Sequence, residues 1–177
     1  EGIIFLAADR FMNGLGQGAY LGRESGNLAN VGIDNVGVGY QALTLGTTVS
    51  NSVAVGSGSL SLTVSSSNNT AIGFSSLDNI LTGTDNIALG LSAGTSYIAA
   101  ESSNIVIGND GVLGESNTLR IGESGGGLAQ QNRCFIAGIY GINPTVPNAQ
   151  PMFVASDGQL GSIGAMTNGQ LIIGSTG

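Results

Sequence analysis

Between residues 15 and 124 the chain repeats one short pattern: an apolar residue, a small one, a second apolar one, then glycine. The closing glycines are Gly22, Gly39, Gly56, Gly73, Gly90, Gly108 and Gly122, spaced by 17, 17, 17, 17, 18 and 14 residues. Ahead of each glycine stands an aliphatic residue: Leu21, Val38, Val55, Ile72, Leu89, Ile107 and Ile121. Two residues further back are Ala19, Val36, Val53, Thr70, Ile87, Ile105 and Leu119. Between the two columns lie Tyr20, Gly37, Ala54, Ala71, Ala88, Val106 and Arg120. Alternation with period two predicts a strand. Its middle column is small except at the two ends, where terminal repeats are expected to differ.

Four residues before the glycine, Asn35, Asn69, Asn86 and Asn104 recur, with Ser52 once in the same slot. Asn bonds its own backbone and tolerates turn conformations, so this position predicts a corner. After the glycine the runs 40–43, 57–60 and 74–77 predict a second short strand ending on Leu43, Leu60 or Leu77. A polar stretch, Ser66 within it, then closes the repeat as a turn. Two short strands and two turns in about 17 residues make one coil of a parallel β-solenoid, with coils stacked about 4.8 Å apart. The larger aliphatics are expected to fill the coil, and the Gly/Ala column to form an uncovered flank. So thin a coil buries little surface, and oligomerisation is the expected remedy.

The runs Asn35–Leu43 (NVGVGYQAL), Asn69–Leu77 (NTAIGFSSL) and Asn86–Gly90 (NIALG) resemble the YadA-like head repeats of trimeric autotransporter adhesins, and the related repeats of phage and bacterial fibre proteins. Residues 104–108 and 115–122 resemble the end of such arrays. Residues 135–141 and 154–161 resemble the segment that often precedes an endosialidase-type intramolecular chaperone. The likeness spans roughly residues 15–165. It implies a homotrimer of left-handed parallel β-rolls on an extracellular fibre, on a bacterial cell surface or a virion. The 17-residue period favours the wider fibre family over autotransporters proper.

Gly125-Gly126-Gly127 breaks the pattern. Beyond it, Asp157-Gly158 and Asn168-Gly169 are hairpin signals, while Pro144, Pro147 and Pro151 confine their stretch to a loop or edge. The expected organisation is therefore a lead-in strand over residues 1–14, β-roll head repeats over 15–124 and a β-hairpin shaft or connector over 125–177. Residues 3–8 are apolar but too short to cross a bilayer.

Composition narrows the function. Gly contributes 31 of 177 residues and charged residues only 8%. Four arginines, Arg10, Arg23, Arg120 and Arg133, are the only cations beside 11 acids, giving a net charge of −7. Nucleic acid needs a basic stripe and is excluded as a partner; an anionic membrane surface is disfavoured. Cys134 stands alone in a strand-like run and reads as a packed core thiol. General acid–base chemistry draws mostly on His, Lys or paired carboxylates. His and Lys are absent, and the acids sit at turns, with Asp34 and Asp85 beside the corner Asn. Asp110 and Glu115 are thin evidence for a hard cation. The glycines at 14–18 and 37–39 lack the helix a phosphate loop needs. A flat ice-binding array fails because Thr does not recur at one position. Tyr40 and Phe74, two coils apart, either stack on sugars or, as favoured, pack at the coil edge.

The expectation is an all-β structural or adhesive fibre segment, not an enzyme, with no catalytic, cofactor or metal site. Its partner is itself as a homotrimer, with a host-surface glycan or protein receptor as a further partner. The alternative is a phage-tailspike-like fibre that binds or cleaves glycans.

Overall fold

The computed structural model describes residues 4–6, 9–13, 18–27, 29, 32–123, 153–154 and 160–161, with side chains described between residues 18 and 123. The chain divides into two units, residues 1–132 and 133–177. In the first, β1 (Ile4–Leu6) and β2 (Asp9–Asn13) form an antiparallel pair, and β2 pairs antiparallel with β3 (Ala19–Leu21). From β3 onward the pairing is parallel: β4 (Val36–Val38), β5 (Val53–Val55), β6 (Thr70–Ile72), β7 (Ile87–Leu89), β8 (Ile105–Ile107) and β9 (Leu119–Ile121) follow in sheet order. Seven parallel strands, one per repeat, make this a β-solenoid, and the register places every residue on its repeat-mate. In the second unit β10 (Phe153–Val154) pairs antiparallel with β11 (Leu160–Gly161), on either side of residues 155–159. The rest of the expected shaft, with Cys134 and Asn168-Gly169, lies outside the described residues.

The direction of the strand faces corrects the expectation. The small column points inward: Gly37, Ala54, Ala71, Ala88 and Val106 are buried, while the flanking aliphatics are exposed or half-buried. The lumen beside the strand is too narrow for large side chains. A Cβ on Gly37 would lie 2.7 Å from the Tyr20 ring. The bulk of the core comes from the other arm of the coil, where Leu43, Leu60 and Leu77 are fully buried.

That arm is not a second strand. Residues 40–43, 57–60 and 74–77 are turns, because left-handed residues interrupt them: Gln41 and Leu43, Gly58 and Leu60, Ser75 and Leu77 all have φ between 48° and 72°. A non-Gly residue there costs on the order of 1–2 kcal/mol. Burying a leucine returns about as much or more, and the carbonyl ladder continues through the turn, as in Leu60 N–H to Ser76 O at 3.0 Å.

The polar return stretch also carries core. Ser66 is buried, its hydroxyl 2.8 Å from that of Thr63. Bulk is traded between two positions of this arm. Gly46 pairs with Val49, Thr63 with Ser66, and Ile80 with Gly83, where a Cβ would sit 2.3 Å from Ile80 Cδ1. Each coil fills the same space with a different division of volume, as close packing requires.

The repeated glycine has a steric cause. Gly22, Gly39, Gly56 and Gly73 have φ from 131° to 142°. A Cβ on Gly56 would lie 2.2 Å from the carbonyl oxygen of Gly73 in the next coil. Gly108, at φ 55°, has nothing within 4 Å of such a Cβ. Both glycines take a left-handed φ, but only one is walled by backbone. Gly56→Ala is therefore expected to lower the unfolding midpoint well beyond Gly108→Ala, the overpacking adding roughly 1–3 kcal/mol. Thermal unfolding of the two variants, followed by circular dichroism, checks this; equal shifts would contradict the stacking account.

Candidate interaction face

Two columns of side chains stand outward on the strand arm. The first is Val36, Val53, Thr70, Ile87, Ile105 and Leu119; the second is Val38, Val55, Ile72, Leu89, Ile107 and Ile121. Exposure is greatest on the last strand, 63% for Leu119 and 67% for Ile121. Eleven of these twelve residues are aliphatic, which makes one continuous apolar rail over six coils. Contiguous exposed apolar surface of this kind marks an interaction site rather than ordinary surface. Tyr40 and Phe74 flank the rail just past the aligned glycines. Against expectation neither is packed away: they are 38% and 58% exposed. The Arg23 guanidinium, one coil before, lies 4.5 Å from the centre of the Tyr40 ring.

A buried amide ladder backs the rail. Asn35 Oδ1 accepts from Ser52 N–H at 3.0 Å, Ser52 Oγ from Asn69 N–H at 3.2 Å, Asn69 Oδ1 from Asn86 N–H at 2.9 Å, and Asn86 Oδ1 from Asn104 N–H at 3.1 Å. Each Asn Nδ2 also donates across the coil, to the carbonyls of Val49, Gly83, Glu101 and Glu115. Ser52 keeps the chain of bonds where Asn is missing. The turn geometry expected of these Asn residues belongs to their predecessors: Asp34, Asn51, Asn68, Asp85, Ser103 and Asn117 hold φ between 53° and 60°. Asp34 and Asp85 are thereby explained as exposed left-handed corners, and Asn68 Nδ2 donates to Asp85 Oδ1 at 2.9 Å.

The expected acid pair behaves differently from a cation site. Glu115 is bound by protein donors. Tyr97 O–H reaches its Oε1 at 2.7 Å, and Arg120 donates from Nε at 2.9 Å and from Nη2 at 2.8 Å. Asp110 is exposed, its N–H donating to Glu123. Among the described residues no cluster of three potential metal ligands occurs. Tyr97, between β7 and β8, packs against Gly94 and Gly111, and Tyr20, on β3, packs against Gly26 and Gly37. Both rings are buried in the core. Only the end placement of Tyr20 and Arg120 hinted at them in the sequence.

Electrostatics follow the same division. The Arg120 hydrogen bond holds the Glu115 carboxyl below its usual range. Burial pushes Glu101 up, but donors that include the Ala99 and Gly114 N–H groups outweigh it and leave it lowered. Burial raises Tyr97, helped by the Glu115 carboxylate. Burial also raises Asp78, whose Oδ1 has no hydrogen-bond partner.

Comparisons with protein-family models, with curated proteins and with solved structures gave no match.

The signs of these shifts set the pH response. Glu101 and Glu115 are lowered by folding, so their stabilisation is present above the ordinary value of 4.5 and is lost as pH falls through the folded values. Asp78 is raised, so its contribution is present below 3.8 and is lost as pH rises through the folded value. The unfolding midpoint is therefore expected to be flat between about pH 5 and 8, where unperturbed side chains other than His do not titrate, and to drop in acid. Asp78→Asn is expected to raise the midpoint at pH 7, with the gain vanishing below 3.8. Melting curves of the wild type and this variant from pH 3 to 8 test both; a gain independent of pH would refute the assignment to ionised Asp78.

Proposed function

We propose that the solenoid is the head of a homotrimeric extracellular fibre that serves attachment or filament formation and performs no catalysis. The observation that carries this reading is the continuous aliphatic rail. Its side chains are about half exposed, so burying each contributes on the order of 1 kcal/mol. Eleven of them together give roughly 10 kcal/mol per chain, within the range of about 4–15 kcal/mol that association costs. A partner covering the rail must offer apolar groups at the same interval of about 4.8 Å. A second copy of this chain has that spacing by construction, which favours self-assembly over a foreign partner. The likeness to adhesin-head and fibre repeats supplies three as the number of copies, a left-handed β-roll as the coil, and a cell surface or virion as the location. Host glycan or protein receptors would then meet the outer arms.

The absence of Lys and His, and the involvement of the best-placed acid, Glu115, in a structural cap, support a non-catalytic role. The test is the mass in solution. Light scattering is expected to give three times the chain mass of 17.6 kDa. Leu89→Asp, on the outside of the coil, is expected to yield folded monomers. A stable folded wild-type monomer would overturn the proposal. Ala71→Phe should act differently, breaking the coil itself, because Ala71 faces the lumen.

A further inference from the structure

The rail that drives assembly has a weakness of its own making. Every level resembles the next, so two copies displaced along the stack by one coil would still place aliphatic on aliphatic at nearly every level. Hydrophobic contact is non-directional and does not by itself choose among such registers. Coiled coils face the same ambiguity, and a single polar residue in the apolar seam resolves it at some cost in stability.

The rail carries one polar side chain among its twelve, Thr70. It lies on β6, the fourth of the seven parallel strands, with Val53 directly on one side and Ile87 on the other. Its backbone is held within the chain, N–H to Asn86 O at 2.8 Å. The side chain stands outward and half-buried beside its neighbours in the column. In shape it substitutes for valine, so volume does not distinguish it. The hydroxyl does.

We propose that Thr70 fixes the axial register of the homotrimer. This inference rests on the trimer reading above and adds that the first column lies nearest the three-fold axis. In register, three Thr70 hydroxyls stand at one level. Each can donate to the next and accept from the one before, so the ring is closed and every donor is used. Slipped by one coil, a Thr70 hydroxyl is buried against Val53 or Ile87 of the neighbouring copy, with no partner for its hydrogen. A buried unpaired polar group is the dominant penalty in that arrangement.

The experiment uses the full chain with Cys134→Ser as background. One set of chains carries Val36→Cys and another Val53→Cys. The two are unfolded, mixed, refolded and oxidised, and the disulfides are assigned by mass spectrometry. Links between identical positions report the aligned register, and links between position 36 and position 53 report a slip of one coil. With Thr70 present the mixed links are expected to be rare. With Thr70→Val they are expected to rise by roughly tenfold, while the trimer melts at a higher temperature because the seam is then wholly apolar. Thr70→Ser, which keeps the hydroxyl, should restore the low fraction. Trimers in which the mixed fraction is the same with and without Thr70→Val would overturn this inference and leave the trimer standing. Monomers by light scattering would overturn the trimer, and this inference with it.

Discussion

Stacking at one interstrand distance governs this molecule. When each coil lies directly on the last, every side chain meets its own repeat-mate, and a residue is tolerated only if it packs on, or exchanges volume with, the residues of the next coil. Glycine stacks on glycine at the turn because the next carbonyl occupies the place of a Cβ. Asparagine stacks on asparagine because its amide is both donor and acceptor and can hand the bond onward. In the corner column Asp34 and Asp85 are kept apart by Asn51 and Asn68, whereas Glu101 and Glu115 are repeat-mates, and each carboxylate is held by its own protein donors.

The same constraint inverts the usual distribution of bulk. A coil of about 17 residues has little lumen, and the ladder of corner amides occupies part of it. What remains beside the strand admits Ala, and the larger aliphatics must turn outward. The leucines on the opposite arm enter the core only by taking left-handed backbone, a local cost offset by their complete burial. The coil thus gains a filled interior at the expense of an apolar exterior. The exposed rail follows from the way the interior is filled, and it is the surface on which the proposed self-assembly rests.

How far this was legible in the sequence depends on what period and residue type encode. The spacing of Gly22 to Gly90 encodes coil length and strand position directly, and both stand as expected. Alternation along the strand says that two faces differ and is silent on which is inside. Size was the misleading cue, because a large aliphatic column is ordinarily core, whereas here Ala54, Ala71 and Ala88 are. The second strand failed for a related reason. Leu43, Leu60 and Leu77 carry strong apolar signal but sit at φ values that leucine rarely adopts, and no propensity argument selects them. The exchange of volume between Gly46 and Val49, or Ile80 and Gly83, is visible only once both are seen to share one space. Glu115 was singled out for possible cation binding, and its true partners, Tyr97 and Arg120, lie 18 and 5 residues away on different arms.

The ends obey a different logic from the middle. Coils in the middle of the stack are filled by aliphatic side chains, but coils towards either end each bury an aromatic ring. Tyr20 and Tyr97 are the largest side chains in the core, and glycines at 26, 37, 94 and 111 make room for the rings. At the far end the hydroxyl of Tyr97 must also be satisfied, and Glu115 and Arg120 do so. Among the described residues the hydrogen-bonded carboxylates Glu101 and Glu115 lie towards this end, at the same position of successive coils. The titratable groups that folding perturbs are, among the described residues, concentrated in the last two coils. Asp78 is the exception, an acid placed within the array, and it is the one buried side-chain atom among the described residues left without a partner. A buried carboxyl fits this architecture where donors reach it, as at Glu101 and Glu115, and is penalised where an oxygen is left without one, as at Asp78.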